Sequence, residues 1–405
     1  MLPPDLPPTD YAALMAWFST PRPNGSAAEA AVRRRLQAWL AGHGVPCQVQ
    51  TFRLYPYFFE ALGLWLILSR TLLAAAVWLR WGWPALPIAL AGLLGGALDW
   101  TFGLPLVTWP GARRGENLLA AFEPAAKPAT QEVVLSAHTD SKTELLDHRQ
   151  RAFFVRLLPL GMALTLLVGL LGLADGLLAD AAPAWARAAH LVAAGLSLPL
   201  VALAWGLGLN LALGRLSRPS AGAVDNGAAC AVLAGLAQRL AAGQVPLQRT
   251  AVTLAFFTGE EANLQGSRAY VRGRDWRRPA LAVNLELLGQ PGGYVYWRRD
   301  ALGFRSRPTA AAVNAALAAA VQEVTGRPAE EVDLINSDAA SFLLRGIPAA
   351  VLGTRHPTWG LAGLHRPSDS LDRVDLARLP EAVEILSRFL QQVDRAWPPA
   401  GSGQP

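Results

Sequence analysis

The chain has 405 residues, of which 52% are hydrophobic and only 16% are charged, and its mean hydropathy is +0.25. Such an apolar composition is unusual for a purely soluble enzyme. The net charge is +6, but the arginines are dispersed and accompany no aromatic and basic binding motif, so we expect no nucleic-acid partner. With only Cys47 and Cys230, no disulfide framework is expected. The amino terminus has neither a basic segment nor an apolar core, so no cleavable signal peptide is expected.

The first elements in the chain are a predicted helix and a predicted strand. Ser26 and Glu29 have the spacing of a capping box, which favours a helix running to about residue 41. Gly42 and Gly44 can end it. Residues 45–54 should form the first strand.

Four long apolar segments predict transmembrane helices. Residues 61–79 are interrupted only by Arg70, and residues 81–98, 157–174 and 191–214 carry no charge. Each segment is long enough to cross a hydrocarbon layer of about 30 Å. They predict two hairpins, residues 57–108 and 151–214, embedded in a lipid bilayer, and several tryptophans near the proposed ends fit an aromatic belt. Buried helices of an unusually apolar soluble protein are the alternative.

Arg70 falls in the middle of the first predicted span. An unpaired charge there costs at least about 2.5–3.5 kcal/mol on insertion scales. If the hairpin turns at Trp83 and Pro84, Asp99 reaches a similar depth on the second helix. We therefore expect an ion pair between Arg70 and Asp99.

Residues typical of metal sites follow several buried strands in the rest of the chain. Open α/β sheets bind ligands at the carboxyl ends of their strands. Two imidazoles and three carboxylates that converge are what a pair of bridged zinc ions requires. The candidates are His138 and Asp140 after strand 132–137, Asp225 before helix 227–242, Glu260 and Glu261 after strand 251–257, Glu286 at the end of strand 280–286, and His365 after a glycine-rich loop.

The remaining elements predict an α/β fold with a mixed sheet flanked by helices. Strands are expected near 293–297 and 349–352, and helices at 309–325, 339–345 and 380–396. The predicted peptidase domain comprises residues 1–56, 109–150 and 215–405, interrupted by the two hairpins.

The order and spacing of these motifs resemble the co-catalytic di-zinc exopeptidases, a family that includes bacterial leucyl aminopeptidases, aminopeptidase Y and glutamate carboxypeptidase. The resemblance covers residues 10–56, 111–148 and 217–396. The matching motifs are Gly115-Glu-Asn117, Asp225-Asn226, Gly259-Glu-Glu261, Asn284-Leu-Glu286, Ser337-Asp338 with Gly346-Ile-Pro348, and His365 with Asp369-Ser-Leu371.

The resemblance implies a role for each candidate residue. His138, Asp225 and Glu286 would bind one zinc ion, and Asp225, Glu261 and His365 the other. Asp225 would then be the bridge and Glu260 the general base. Asp140 would orient His138 through its other ring nitrogen. Asp338 and Asp369 lie beside the pocket motifs, where a helix cap and a loop hydrogen bond respectively explain them equally well.

The chain departs from the family pattern in three places. Ala229-Cys230 stands where soluble members usually have Ser-Gly, and Glu286 stands where many have aspartate. His138 and Asp225 are 87 positions apart (225 minus 138), and most of the excess is hydrophobic. The resemblance is therefore to a membrane-embedded member of the family.

The sequence thus predicts a membrane-anchored zinc aminopeptidase that acts on peptides with two Zn²⁺ ions and Glu260 as the base. One alternative is a glutaminyl-cyclase-like acyltransferase using one zinc ion. The other is a non-catalytic, receptor-like member, against which the retention of every ligand and of Glu260 argues. No motif defines an oligomeric state.

The distribution of charge predicts the orientation in the membrane. The positive-inside rule then places the catalytic domain in the cytoplasm. Arginines concentrate at the ends of the hairpins that join the peptidase domain, namely Arg53, Arg113, Arg114, Arg149, Arg151, Arg156, Arg215 and Arg218, whereas the tips carry Arg80 and Arg187 with Asp175 and Asp180.

Overall fold

The computed structural model describes residues 9–333 and 336–397. The chain divides into two compact units, the first comprising residues 1–56, 112–142 and 219–405 and the second residues 57–111 and 143–218. The amino terminus, where no signal peptide was expected, lies outside the described residues, as do residues 398–405 at the end of the predicted peptidase domain.

The elements are numbered in chain order. The described strands are β1 (Cys47–Leu54), β2 (Arg113–Phe122), β3 (Gln131–His138), β4 (Thr250–Phe257), β5 (Ala280–Glu286), β6 (Gly293–Trp297), β7 (Arg299–Leu302), β8 (Arg305–Pro308), β9 (Glu330–Val332) and β10 (Ala349–Arg355). The described α-helices are α1 (Tyr11–Phe18), α2 (Ala27–Gly42), α3 (Phe58–Trp78), α4 (Ala85–Phe102), α5 (His148–Arg156), α6 (Leu158–Leu178), α7 (Pro183–Leu213), α8 (Ala228–Ala241), α9 (Gln265–Arg272), α10 (Ala311–Thr325), α11 (Ala339–Leu343) and α12 (Arg378–Ala396).

The first unit is built on an eight-stranded mixed sheet in the order β1-β2-β4-β3-β5-β10-β6-β9. The neighbours β4, β3, β5 and β10 run parallel, as do β6 and β9. The pairs β1 with β2, β2 with β4 and β6 with β10 are antiparallel. Every residue of β3 and β4 is buried, as expected of central strands covered on both faces. The predicted mixed sheet flanked by helices is therefore confirmed.

Some elements were not predicted, because their sequences lack a clear apolar pattern. The strand β2 begins with two exposed arginines and is only partly buried. The strands β7 and β8 form a separate two-stranded ribbon of four residues each. Sequence periodicity identifies strands by burial, so short or exposed strands give little signal.

Only half of the predicted capping box forms at the start of α2. The Ser26 hydroxyl accepts a hydrogen bond from the Glu29 amide at 3.1 Å. The Glu29 carboxylate accepts instead from the Gly25 amide, at 2.7 Å. The helix still begins where the sequence predicted, because one side-chain acceptor is enough to cap it.

The second unit contains four helical segments long and apolar enough to cross a membrane, namely Phe58–Trp78, Ala85–Phe102, His148–Leu178 and Pro183–Leu216. Leu64, Leu68 and Leu72 lie along one face of α3 at four-residue spacing, and each is more than half exposed. A continuous exposed apolar face is typical of a surface that contacts lipid or another protein.

The expected ion pair between Arg70 and Asp99 is wrong. The Arg70 guanidinium donates to the Ser69 hydroxyl at 2.7 Å and to the Gly92 carbonyl at 3.0 Å. Asp99 instead accepts from the amide and hydroxyl of Thr108, both at 2.9 Å.

The error lies in the assumed centre of the turn. Because Arg70 meets Gly92, the hairpin is centred near residue 81 rather than at Trp83 and Pro84. Asp99 therefore lies seven residues beyond the level of Arg70 (99 minus 92), about 10 Å along the helix. Arg70 is compensated by neutral hydrogen-bond acceptors, and the carboxylate holds the segment that follows α4.

We predict that Arg70→Leu and Asp99→Leu destabilise the protein independently. Because the two side chains have separate partners, their losses in free energy of unfolding should add to within about 0.5 kcal/mol. Denaturation of the detergent-solubilised single and double variants measures this. A coupling above about 1 kcal/mol would mean that the two charges meet after all.

Candidate metal centre

The predicted ligands gather at one edge of the central sheet. His138 is the last residue of β3 and Glu286 is the last residue of β5, its parallel neighbour. Glu260 and Glu261 follow β4 on the other side of β3. Because parallel strands end at the same edge, residues far apart in sequence become neighbours there.

The first group of side chains surrounds the His138 imidazole. Its Nε2 atom lies 3.2 Å from Asp225 Oδ1, 3.6 Å from Glu286 Oε2 and 3.9 Å from Glu260 Oε2. Asn284 donates to the other oxygen of Glu286 at 2.7 Å. That hydrogen bond leaves Oε2 of Glu286 directed towards the histidine.

The second group surrounds the imidazole of His365. Its Nε2 atom lies 2.7 Å from Glu261 Oε1 and 3.3 Å from Asp225 Oδ2. Asp225 thus presents one carboxylate oxygen to each histidine and stands between the two groups. This is the position that a bridging ligand requires.

Hydrogen bonds to its neighbours hold Asp225 in place. The Asp369 carboxylate accepts from the amides of Val224 at 2.7 Å and of Asp225 at 3.3 Å. The Asn226 side chain donates to the Leu285 carbonyl at 2.7 Å. The explanation of Asp369 as a loop hydrogen-bond acceptor is confirmed, since its carboxylate holds the backbone of Val224 and Asp225.

Asp140 contacts the other ring nitrogen of His138, but mainly through its main-chain carbonyl rather than its carboxylate. His138 Nδ1 donates to the main-chain carbonyl of Asp140 at 3.1 Å, whereas the Asp140 carboxylate is 3.7 Å away. That carboxylate accepts from the amides of Gly259 at 3.0 Å and Glu261 at 2.9 Å. Asp140 therefore orients the histidine through its backbone and holds the turn of Glu260 and Glu261 through its side chain.

Arg22 is a buried part of the site that the sequence did not reveal. Its guanidinium donates to the carbonyls of Thr139 at 2.6 Å, Ala221 at 2.6 Å and Gly222 at 2.7 Å. It thereby joins the loop after β3 to the loop before Asp225. A single arginine between two prolines carries no sequence signal of such a role.

The buried carboxylates perturb one another. Burial raises the pKa of Glu260 well above its usual range. The nearby His138 lowers this pKa, whereas the negative charge of Glu261 raises it further. Burial alone would also raise the pKa of Asp225, but the two neighbouring imidazoles hold it well below its usual range. Groups this close cannot all be ionised unless cations stand among them.

The residues present fit metal ions. Two sets of side chains offer ligand atoms that lie within 4.8 Å of one another. One set is His138, Asp225 and Glu261, and the other is His138, Glu260 and Glu286. His138 Nε2 is buried and makes no hydrogen bond of good geometry with any described residue. Buried imidazole and carboxylate atoms at this spacing are the usual ligands of zinc.

Asp338, like Asp369, is a carboxylate near the site whose role the sequence left open. It precedes α11, but its side chain caps no helix, so the explanation as a helix cap is wrong. Burial raises its pKa to about 8. Neither carboxylate oxygen makes a hydrogen bond of good geometry with the described residues, which is costly unless a proton, a metal or a substrate satisfies it.

Comparison with known proteins gives a family match for part of the chain and a fold for nearly all of it. Residues 207–390 match the sequence model of peptidase family M28. That range contains Asp225, Glu261, Glu286 and His365, whereas His138 precedes it. No curated protein sequence gives a significant match.

Solved structures share the fold at low sequence identity. An aminopeptidase from Aneurinibacillus sp. strain AM-1 has a TM-score of 0.54 and 15% identity, with 95% of this chain and 94% of that chain covered. A zinc aminopeptidase from Bacillus subtilis has a TM-score of 0.55 and 13% identity, with 96% of each covered. The glutaminyl cyclase of Fimbriiglobus ruber has a TM-score of 0.53 and 15% identity, with 96% and 99% covered.

These likenesses establish the α/β fold, which zinc aminopeptidases and glutaminyl cyclases share. The range that matches the family model carries four of the five predicted ligands. Residues 207–390 are therefore similar to peptidase family M28, and the fold is the one found in zinc aminopeptidases.

Proposed function

We propose that the protein is a membrane-anchored aminopeptidase that uses two zinc ions to remove amino-terminal residues from peptides. The observation that carries the proposal is the position of Asp225, with one oxygen 3.2 Å from His138 and the other 3.3 Å from His365. His138, Asp225 and Glu286 would hold one ion, and Asp225, Glu261 and His365 the other.

Glu260 would move the proton in the proposed reaction. When bound, the two zinc ions would polarise the peptide carbonyl and lower the pKa of an attacking water. Oε2 of Glu260, 3.9 Å from His138 Nε2, lies at the edge of the ligand group and can accept the proton of that water. Glu260 then delivers the proton to the leaving amine.

The turn that carries Glu260 is fixed before any substrate binds. Asp140 accepts hydrogen bonds from Gly259 and Glu261, the residues on either side of Glu260. Gly259 has a φ of +81°, a conformation that glycine adopts without strain. A rigid turn keeps the base at a constant distance from the ligands, which proton transfer requires.

We predict that Glu260→Gln keeps the fold and both zinc ions but lowers kcat by at least about 100-fold, because only the proton acceptor is removed. His365→Ala should lose one zinc ion as well. Turnover of aminoacyl coumarins, together with the zinc content of each variant, measures both effects. Near-normal kcat in Glu260→Gln would exclude Glu260 as the base.

A glutaminyl cyclase is the second candidate function. It is supported by the shared fold and by the buried carboxylate of Asp338, an additional group able to exchange protons beside the site. A cyclase of this kind would use one zinc ion and convert amino-terminal glutamine without releasing a residue. Incubation with glutaminyl peptides, analysed by mass spectrometry for loss of ammonia or of a residue, separates the two activities.

We also propose that the four apolar helical segments anchor the enzyme with its catalytic domain in the cytoplasm. Support comes from their length and composition and from the arginines at the ends that join the peptidase domain. A cytoplasmic site would act on intracellular peptides.

Protease added outside intact spheroplasts should leave the catalytic domain uncleaved. Disruption of the spheroplasts provides the control, since the same protease should then digest exposed loops of that domain. An epitope tag after the last helix reports the cleavage on immunoblots. Digestion in intact spheroplasts would reverse the orientation.

A further inference from the structure

A cavity of about 250 Å³ lies beside Glu286 in the first unit. Its apolar wall is formed by Val295, Trp297 and Val332. Arg355, the last residue of β10, lies at its rim. A cavity that touches a proposed zinc ligand is close enough to receive a side chain of the substrate.

Gly353 keeps this cavity open. It pairs with Glu286 across the parallel strands β10 and β5. A Cβ atom at this position would lie 2.6 Å from the Glu286 carbonyl oxygen, so no larger residue fits without a backbone shift. Side chains two apart on a strand share a face, which places Arg355 on the same side as the space that Gly353 leaves.

The acidic side chains around the cavity do not pair with Arg355, which can therefore bind a substrate. The acidic residues Glu331 and Asp333 both face Arg298, with Asp333 at 3.6 Å. Glu286 belongs to the proposed metal centre. Arg355 is exposed and forms no ion pair or side-chain hydrogen bond with any described residue.

A second concavity, of about 420 Å³, adjoins the first at Arg355. It is lined by Arg327, Arg355 and Arg378, with Glu330 as its acidic member. Arg378 is partly neutralised by Glu381 at 3.3 Å, whereas Arg327 has no acidic partner among the described residues. The second concavity therefore has three arginines against Glu330 and Glu381, an excess of positive charge that favours anionic groups.

We propose that this cavity receives the first side chain of the peptide and that Arg355 selects acidic residues, aspartate or glutamate, at that position. The inference rests on the proposed aminopeptidase function. Guanidinium and carboxylate groups can form two parallel hydrogen bonds, which gives both strength and geometric selection. The aliphatic part of a glutamate side chain would pack against the apolar wall.

The test compares glutamyl, aspartyl, leucyl and lysyl coumarin amides. We expect the wild type to cleave the acidic substrates with a kcat/KM about tenfold or more above that for leucine, the size of one charge-assisted hydrogen bond. Arg355→Glu should lower kcat/KM for the acidic substrates by about 100-fold while changing that for leucine little. Arg355→Lys should retain part of the preference, because it keeps the charge but loses the planar fork.

Arg34→Glu is the matched control, since Arg34 is an exposed arginine on α2 and its reversal changes the net charge equally. It should leave the substrate profile unchanged. Equal cleavage of leucyl and glutamyl substrates, with no effect of Arg355→Glu, would overturn the inference while the aminopeptidase function stands. If Arg355→Glu changed the cleavage of free dipeptides but not of their amides, the inference would also be overturned. Arg355 would then bind the carboxyl terminus of the peptide rather than its first side chain.

Measuring the binding of dipeptides tests the selectivity of Arg355 independently of the proposed aminopeptidase activity. Calorimetry on zinc-loaded Glu260→Gln compares Glu-Leu with Leu-Leu, with and without Arg355→Glu. If Glu-Leu binds more tightly than Leu-Leu and Arg355→Glu abolishes the difference, the selectivity of Arg355 is supported. This holds even if the wild type releases no amino acid, because that result would count against the aminopeptidase function alone. Equal binding of the two dipeptides would overturn the inference.

Discussion

Electrostatic repulsion among buried carboxylates is the constraint on which the site depends. Asp225, Glu260, Glu261 and Glu286 are all buried, within a few ångströms of two imidazoles. Uncompensated carboxylates in such an environment become protonated or move apart. The hydrogen bonds that Asp140 accepts from the main chain hold the turn of Glu260 and Glu261 in place, so bound cations would relieve the repulsion without rearrangement. This is the physical reason for reading the site as a metal centre.

The scaffold meets this constraint with rigid parts. His138, Glu260 and Glu261 lie at the ends of β3 and β4, whose every residue is buried. Arg22 joins the loop after β3 to the loop before Asp225 by donating to the carbonyls of Thr139, Ala221 and Gly222. Arg22 also brings a positive charge to the buried carboxylates. Because loop closure costs little more for long loops than for moderate ones, the sheet can accept the long apolar insertions after β1 and after Lys142.

The sequence was informative where a continuous apolar run marks a buried strand and a polar residue follows directly after it. The ends of β3, β4 and β5 could be located from apolar runs, and the ligands followed directly. The sequence was uninformative where the partner of a side chain lies far along the chain. Arg22 binds carbonyls about 120 and 200 positions away, and Asp140 holds a turn 119 positions away. The predicted ion pair between Arg70 and Asp99 was wrong for a related reason. A shift of a few residues in the position of a turn changes which side chains lie at the same level on the two helices.

The central claim is that two zinc ions share Asp225, and the metal content of the purified protein tests it most directly. Plasma mass spectrometry of the wild type and of Asp225→Ala, normalised to protein concentration, gives the number of zinc ions per chain. The account predicts two ions in the wild type and loss of both in the variant, because each group loses a ligand and the bridge between them. One zinc ion in the wild type, or a variant that retains the wild-type content, would contradict it.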